Sequence, residues 1–319
     1  MMKVSFVIPL YNGSGYIERA LESIGEQRHK NIEIIVVDDG STDNGFDKTV
    51  LMQKKYNNII AIPKEHTGPA DTRNKGLEQA TGEYIGFLDC DDYFEPDFTS
   101  TLVQCLEESG AQIASCETRD FNGKETSNPD KEKNPSIMVY PPEEYLKLVY
   151  SNHKVNVVMW NKIYARELFK EINFPNNELY EDVPVNYLLC SKATRIVHIK
   201  KVLHNYNTGN SSITRSQLCY DDFQQIQQWN KVIKWSYNQY PGLREIIFAR
   251  KIAAYRAMVR KFLIHGTVSA DVVQQLILML RKEMSGIIRC TAIPPNKKVL
   301  SLSAAISPRC FNYTSRFIK

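Results

Sequence analysis

Alternating apolar runs and amphipathic segments in the first 116 residues most constrain the fold. Five runs have the length and nearly continuous apolar character of strands buried on both faces: KVSFVI (3–8), IEIIVV (32–37), NIIAI (58–62), EYIGFL (83–88) and AQIAS (111–115). The segments between them show helical spacing or helix punctuation, such as Ile17, Ala20, Leu21 and Ile24. This βαβαβαβαβ order predicts an α/β domain with a mostly parallel, doubly wound sheet.

The chain changes character near residue 216. Helical periodicity predominates from there, with helices predicted at 220–239, 243–264 and 269–287 and a Pro-Pro break at 294–295. Residues 216–319 contain 16 Lys/Arg and 5 Asp/Glu, a net charge of +11, whereas residues 1–215 carry −7. We therefore predict a domain at 1–215, with halves 1–116 and 117–215, followed by a basic helical region at 216–319. The polar stretch 119–136 is predicted to be an exposed loop.

Composition excludes several classes of protein. The seven cysteines are odd in number and scattered without a CxxC pair, which argues against a disulfide framework or a structural zinc site and for a reducing, cytoplasmic location. No apolar stretch reaches the roughly 18–20 residues of a membrane span. The N-terminal apolar run is too short for a signal peptide and reads as a strand.

Acidic residues follow two of the predicted strands. In VVDDGSTD, Asp38 and Asp39 stand between a buried strand and a turn. Asp, Ser and Gly favour turns and caps in any protein, so turn chemistry is one interpretation. The functional interpretation is a carboxylate that accepts the imide N–H of a uracil or binds a ribose. Ligands of parallel α/β sheets bind at the carboxyl ends of the strands, where these residues lie.

The second acidic group, in FLDCDDYF, contains Asp89 and Asp91. Mg²⁺ and Mn²⁺ prefer carboxylate oxygens and leave other positions to water and substrate phosphates. Two aspartates spaced by two on an extended segment point the same way and could share such a metal. An acidic helix cap explains Asp97 but not this pair. Haloacid-dehalogenase-type phosphatases also place a DxD after an apolar strand, usually the first, with the first Asp as nucleophile; here it follows the fourth.

The order of these strings resembles that of the family 2 glycosyltransferases of GT-A fold. The resemblance covers residues 3 to about 215 and rests on six strings in the family's order: SFVIPLYNGSGYIERALESIGEQ, IEIIVVDDGSTD, HTGPADTRNKGLEQATGEYIGFLDCDDYFEPD, WNKIYARELF, FPNNELYEDVPVN and SSITR. Each string is weak or moderate alone, and their order gives the resemblance its strength.

The resemblance implies roles by position. Pro9, Tyr11 and Asp39 would line the nucleotide pocket, with Asp38 beside them. Arg73 and Asn74 would face the donor or its phosphates, although Arg73 could also be a surface helix cation. Asp89 and Asp91 match the DxD motif, with Asp91 favoured for direct metal contact. Asp182, in LYEDV, matches the expected catalytic base, and a helix N-terminal acid is the alternative.

The sequence also departs from the family pattern. Thr72 and Cys90 replace a usual Ala and Ser, and His66 stands where Asn is common. His204 stands where Tyr is frequent; it could be an extra metal ligand, although a lone histidine is more often structural. The Gln/Arg-x-x-Arg-Trp signature of processive members is missing after Asp182. The resemblance is therefore to non-processive, inverting enzymes.

The resemblance implies metal-dependent transfer of a sugar from a nucleotide-sugar, with a UDP-sugar favoured, to a glycan or glycolipid acceptor. The acceptor would belong to cell-surface polysaccharide assembly, and Mn²⁺ or Mg²⁺ would be the cofactor. A phosphatase using Asp89 and a non-catalytic sugar-nucleotide-binding protein are the alternatives. The basic tail suits peripheral contact with an anionic membrane at the inner face of the plasma membrane, whereas a solvated cap or an oligomer contact also explains it. Nucleic acid is a poor partner because the catalytic part is acidic.

Overall fold

The computed structural model describes residues 2–122, 135–151, 155, 157–209 and 216–317. The chain divides into two compact units, residues 1–210 and 211–319. The predicted loop at 119–136 falls mostly on residues 123–134, and the string SSITR on 211–215; both lie outside the described residues. The start of that prediction is wrong, because residues 119–121 continue a strand.

The first unit contains nine described strands and six described α-helices. The strands are β1 (Val4–Leu10), β2 (Ile32–Asp38), β3 (Ile59–Pro63), β4 (Tyr84–Phe87), β5 (Tyr93–Phe94), β6 (Ile113–Phe121), β7 (Ile137–Tyr140), β8 (Lys162–Ala165) and β9 (Ile196–Asn207). The helices are α1 (Ile17–Gly25), α2 (Gly45–Met52), α3 (Pro69–Gln79), α4 (Phe98–Ser109), α5 (Pro142–Ser151) and α6 (Asp182–Lys192). Strands and helices alternate except that β5 follows β4 and β7 follows β6 directly. The predicted alternation over the first 116 residues is confirmed, except that the two-residue strand β5 was missed.

The strands form one mixed sheet in the order β3-β2-β1-β4-β8-β6-β9-β5, with β7 also paired to β9. The longer pairings, β1 with β2 and β6 with β9, are parallel. The fifth predicted strand, β6, does not pair with β4. Instead β8 lies between them, antiparallel to both. The predicted mostly parallel sheet is confirmed. Within it, the four-residue strand β8 from the second half of the unit interrupts the parallel order between β4 and β6.

Strand register brings the acidic segments to one edge of the sheet. Leu10 is opposite Asp38 in the β1–β2 pair, and Val7 is opposite Phe87 in the β1–β4 pair. All seven residues of β2 are buried, as a strand covered on both faces requires. The segments that follow β1, β2 and β4 therefore leave the sheet side by side, at the carboxyl edge where such sheets bind ligands.

The second unit is helical over its described residues. Its helices are α7 (Gln224–Gln239), α8 (Arg244–His265), α9 (Ala270–Lys282), α10 (Met284–Arg289), α11 (Pro295–Ile306) and α12 (Pro308–Ser315). Two ion pairs stabilise it internally, Lys261 with Asp222 and Lys251 with Glu283, each at 2.6 Å. The predicted break at 294–295 is the start of α11, where Pro295 occupies the first turn. No helix in the described ranges is long and apolar enough to cross a bilayer.

Candidate active site

Asp39 organises the loop between β3 and α3. Its buried carboxylate accepts hydrogen bonds from Lys64 Nζ at 2.5 Å and from the backbone N–H groups of Thr67 and Gly68 at 2.9 Å. Burial raises the pKa of Asp39, but these donors outweigh burial and hold it below its ordinary value. Gly68 has a φ of 99°, which glycine adopts without strain, and this conformation precedes the first turn of α3.

An aromatic pair lies beside Asp39. The Tyr11 side chain, 49% exposed just after β1, stacks on the His66 ring with centroids 4.4 Å apart and planes at 28°. His66 Nδ1 in turn lies 2.9 Å from Asp39 Oδ2. Pro9 lies in β1 opposite Val37. The pair offers an accessible aromatic surface against which a planar base could stack.

Asp38, the last residue of β2, is buried and closes the turn that follows. Its carboxylate accepts hydrogen bonds from the backbone N–H of Ser41 at 3.2 Å and from Ser41 Oγ at 2.5 Å. The contacts of Asp38 in the structure are therefore those of a turn residue, as the first interpretation of VVDDGSTD predicted. The predicted contacts of Asp38 and Asp39 with a nucleotide stay predictions.

The acidic segment after β4 is a tight turn rather than an extended segment. The backbone N–H of Asp92 donates to the carbonyl of Asp89 at 3.0 Å, which closes the turn over Cys90 and Asp91. The expectation of an extended segment at Asp89–Asp91 is therefore wrong, while the predicted sharing of a metal by the two carboxylates stays a prediction. The turn keeps both carboxylates in one short loop at the sheet edge.

Arg73 connects this turn to helix α6. Its guanidinium contacts Asp89 Oδ1 at 3.1 Å through Nη2 and Glu181 through Nη1. The side chains of Arg73 and Glu181 are only 8% and 5% exposed, so the interpretation of Arg73 as a surface helix cation is wrong. Helix α3 can approach the sheet closely at Gly76, where a Cβ would lie 2.3 Å from Val7 Cγ1. Nε of Arg73 has no hydrogen-bond partner in the part of the chain that the structure describes.

Asp182 is the first residue of α6, next to the Arg73–Glu181 pair. Burial raises the pKa of Asp182 to about 7, the negative charge of Glu181 adds to the rise, and Arg73 opposes it. A carboxyl group with a pKa near 7 is poised to exchange a proton at neutral pH, which is the property a general base needs. The structure thus gives Asp182 a helix N-terminal position and, in addition, an environment suited to proton transfer.

His204 lies beneath the acidic turn. It is buried, with Nε2 3.1 Å from Asp92 Oδ2 and Nδ1 3.4 Å from Thr118 Oγ1. Burial lowers its pKa to about 3, so the ring is neutral at pH 7. The buried carboxylate of Asp92 also accepts the backbone N–H of Asn207 at 2.8 Å. Because both ring nitrogens already have partners, the contacts favour the structural interpretation of His204 over metal ligation.

Arg19, on helix α1, holds the acidic turn from the other side. Its Nη2 donates to the backbone carbonyl of Asp91 at 2.6 Å. The guanidinium lies 5.1 Å from the centroid of the Tyr93 ring and 4.6 Å from that of Phe121, within cation–π range. The three aspartates of the turn therefore have separate partners: Arg73 for Asp89, Arg19 for the Asp91 backbone, and His204 for Asp92.

The turn can contribute to a divalent metal site but does not form a complete one. No group of three His, Cys, Asp or Glu side chains that could hold a metal occurs within the described ranges. Mg²⁺ and Mn²⁺ sites of phosphate substrates commonly use only one or two protein carboxylates. The hard oxygen donors of Asp91 and Asp89 fit this class of ion. Asp89 pairs with Arg73, and Asp91 stays the predicted direct contact on the strength of the family motif.

Several residues of the site were missed or placed differently by sequence. Asn74 pairs with a neighbouring segment: its Nδ2 donates to the Phe174 carbonyl at 2.8 Å, and its Oδ1 accepts the Phe174 N–H at 2.9 Å. Glu181 was visible as the first acid of the YED string, but its pairing with Arg73, 108 positions away, was not. Lys64 directly follows β3 at the same edge, so the rule that found Asp39 could also have found it. Arg19 stands in an ordinary amphipathic helix and gave no signal.

Comparison with known proteins decides the family. Residues 5–173, more than half of the chain, match the family model described as glycosyl transferase family 2. The chain belongs to this family. It is an enzyme of the glycosyltransferase class with a GT-A fold.

Two kinds of relative support this assignment. The glycosyltransferase GlyA of Streptococcus pneumoniae serotype 4 is 27% identical over 287 residues, which cover 84% of this chain but only 38% of GlyA. Staphylococcus aureus TarS 1–349, solved with UDP-GlcNAc, superposes with a TM-score of 0.71 at 20% identity, over 99% of this chain and 91% of that one. The Pyrobaculum calidifontis mannosyltransferase PcManGT, solved with GDP-Man and Mn²⁺, gives 0.58 at 15% identity, over 98% and 86%. At these identities the structural matches show the shared fold.

Family membership also removes one alternative. A phosphatase of the haloacid-dehalogenase type would use Asp89 as its nucleophile. In this glycosyltransferase Asp89 follows the fourth strand and pairs with Arg73, so its oxygen faces a guanidinium rather than an open phosphate site.

Proposed function

We propose that this glycosyltransferase moves a sugar from a nucleotide-sugar, a UDP-sugar, to a glycan or glycolipid acceptor, with inversion at the anomeric carbon. The raised pKa of Asp182 beside the Arg73–Asp89 pair carries the proposal. Helix α3 links this acidic cluster to the Asp39 loop: Gly68, at its N-terminus, binds Asp39, and Arg73 lies about 7 Å further along the axis. The proposed donor would place its base at Asp39 and its sugar near Asp182.

The proposed chemistry is a single displacement at the anomeric carbon. Asp182, once ionised, accepts the proton of the acceptor hydroxyl as that oxygen attacks, a contribution typically worth about 10²–10⁴-fold in rate. The C1–O bond to the diphosphate breaks as the new bond forms on the opposite face, so an α-linked donor gives a β-linked product. Arg73 holds Asp89 and Glu181 and so fixes the position of the acidic turn and the start of α6. By holding these two carboxylates, Arg73 would keep Asp182 aligned with the donor sugar and the acceptor hydroxyl.

A divalent cation, Mn²⁺ or Mg²⁺, is proposed to complete the site through Asp91, with Asp89 beside it. Such an ion neutralises the charge that develops on the departing diphosphate. A nucleotide pocket formed by Tyr11, Pro9, Asp38 and Asp39 is proposed for the base and ribose, with His66 stacked on Tyr11. PcManGT, a neighbour of the same fold, was solved with GDP-Man and Mn²⁺, which supports the proposed pairing of a nucleotide-sugar with a divalent cation.

The nucleotide and metal proposals have a direct test in ligand-induced thermal stabilisation. UDP-, GDP- and dTDP-sugars are each titrated with Mn²⁺, with Mg²⁺ and with excess chelator. We expect UDP-sugars with Mn²⁺ or Mg²⁺ to raise the melting temperature, because ligands that bind only the folded state stabilise it by mass action. Chelator should remove most of this rise. Equal stabilisation with and without metal would refute the proposed role of Asp91, and preference for another nucleotide would refute the UDP proposal.

The Arg19 contact predicts a loss of metal response without loss of fold. Arg19→Met keeps an unbranched apolar stem but removes the guanidinium, and with it the hydrogen bond to the Asp91 carbonyl and the contacts with the Tyr93 and Phe121 rings. We expect metal-dependent transfer to fall roughly 10- to 100-fold, because small displacements of positioned groups have effects of this size. The dissociation constant for Mn²⁺, followed by electron paramagnetic resonance, should rise. Arg28→Met, at an exposed arginine just after α1, serves as the control and should leave this constant unchanged. Unchanged Mn²⁺ affinity would show that Arg19 does not position Asp91.

The proposal also assigns a separate function to each of three segments of the chain. Residues 1–116 supply the nucleotide-sugar half, residues 117–215 the acceptor-side half, and residues 216–319 a basic helical region. A glycan or lipid-linked acceptor of cell-surface polysaccharide assembly would bring the enzyme to the inner face of the plasma membrane. The 38% coverage of GlyA shows that relatives carry further segments, so the reaction of a whole relative is not transferred to this chain.

A further inference from the structure

The solvent-facing side of helix α12 has an unusual composition. Its exposed positions are 309, 312, 313, 316 and 317, spaced as one stripe of a helix. The side chains of Tyr313 and Phe317 are 66% and 72% exposed, and their rings lie 5.1 Å apart. Arg309 and Arg316 are exposed on the same stripe. The opposite side is buried through Pro308 and Phe311.

This stripe is ordered by the local structure. Ser307 caps α12 by accepting the backbone N–H of Cys310 at 3.1 Å. At the other end, the N–H of Phe317 donates to the Thr314 carbonyl at 3.1 Å, so Phe317 continues the line of the helix. Ile306, just before the cap, is 61% exposed. Single exposed apolar residues are common, but a surface helix normally turns polar residues to solvent.

The surrounding charge identifies the kind of partner. Residues 284–319 contain no Asp or Glu but six Lys or Arg: Arg289, Lys297, Lys298, Arg309, Arg316 and Lys319. Arginines interleaved with large aromatic and aliphatic side chains match the interface of an anionic bilayer, where rings lie at headgroup level and cations meet lipid phosphates. An acidic protein surface would satisfy the charge but would give less reason for exposed rings.

We propose that the α12 stripe, defined as Arg309, Asn312, Tyr313, Arg316 and Phe317, docks on an anionic membrane surface together with the exposed Ile306 at the end of α11. This deepens the proposed function, because it would bring the enzyme to a lipid-linked acceptor. The contact itself needs neither donor nor acceptor, so its test is independent of the reaction. Each arginine near such a surface is worth about fivefold in binding, and the two rings add an apolar contribution.

Vesicle flotation with the full chain tests the docking. Vesicles of equimolar phosphatidylcholine and phosphatidylglycerol are compared with pure phosphatidylcholine, without nucleotide or acceptor. We expect binding only to the anionic vesicles, weakened by raised salt. The double variant Arg309→Gln/Arg316→Gln should bind about 20- to 30-fold more weakly, and Tyr313→Ser/Phe317→Ser at least tenfold more weakly. Thermal unfolding confirms that each variant is folded.

Matched controls keep the outcomes separable. Ile264→Ser removes an apolar side chain that is 73% exposed elsewhere in the same unit. This variant should bind anionic vesicles as wild type does. Asp182→Asn should also bind normally, which separates lipid binding from catalysis. Equal or negligible binding of wild type to both vesicles would overturn the proposal, as would stripe variants that bind normally. Dissociation of a dimer by Tyr313→Ser/Phe317→Ser, without vesicle binding, would assign the stripe to a second copy instead.

Discussion

Replacing Asp182 by Asn is expected to lower sugar transfer by about 10²–10⁴-fold while leaving nucleotide-sugar binding nearly unchanged. The amide keeps the size of the carboxyl group but cannot accept the proton of the acceptor hydroxyl. Steady-state transfer and calorimetric titration with a UDP-sugar measure the two quantities separately. Glu171→Gln, which removes an exposed carboxylate of the same unit paired with Lys192, is the matched control and should retain activity.

The raised pKa of Asp182 adds a stability test to the same variant. Because the folded-state pKa of about 7 lies above the ordinary value of 3.8, folding favours the protonated form. Its contribution to stability is therefore present at acid pH and is lost as pH rises through about 7. Asp182→Asn should consequently be more stable than wild type at pH 8, with a smaller difference at pH 5. Full activity in this variant would refute the role of Asp182. Nucleotide-sugar binding without turnover in wild type as well would indicate a non-catalytic binding protein.

Replacing Arg73 by Leu is expected to destabilise the protein by about 3–5 kcal/mol, because it leaves the buried carboxylate of Glu181 without its counter-charge. Asp89, which is more exposed, loses its partner as well. Transfer should be lost too, since the guanidinium joins the acidic turn to α6. Urea unfolding and transfer assays at a temperature where the variant remains folded measure the two effects.

The double variant Arg73→Leu/Glu181→Leu separates stability from function. Removing both charges of a buried pair is often neutral or stabilising, so most of the lost stability should return. Activity should not return, because the acidic turn still lacks its link to α6. Recovery of both properties would show that Arg73 serves packing alone. Lys75→Leu, which breaks an exposed pair with Glu78 on the same helix, should change stability by less than about 1 kcal/mol.

The predictable part of this structure rests on local patterns. Continuous apolar runs predicted five strands, which the structure contains as β1, β2, β3, β4 and β6. The rule that ligands bind at strand carboxyl ends placed Asp38, Asp39 and Asp89 at one edge. Strand β8, the residues KIYA, is too short for its pattern to reveal that it would enter the sheet between β4 and β6. Sequence therefore predicted the alternation better than the strand order.

Long-range pairing accounts for what was missed in the site. The Arg73–Glu181 pair spans 108 positions and the His204–Asp92 pair spans 112. Neither helix periodicity nor residue spacing shows which buried polar side chains will pair with each other across such distances in the sequence. Asp182 was found only through the family resemblance, because its local pattern is that of any acid at a helix start. The turn at 89–92 replaced an expected extended segment because one backbone hydrogen bond closes it.

The stereochemistry of donor hydrolysis tests the central claim most directly, because it needs no identified acceptor. Water can replace the acceptor hydroxyl, and proton NMR reads the anomer of the released sugar before mutarotation. From an α-linked UDP-sugar, we expect the β-anomer first, at a rate that requires Mn²⁺ or Mg²⁺ and falls at least about 100-fold in Asp182→Asn. Release of the α-anomer, or equal rates in wild type and Asp182→Asn, would contradict inversion with Asp182 as the base.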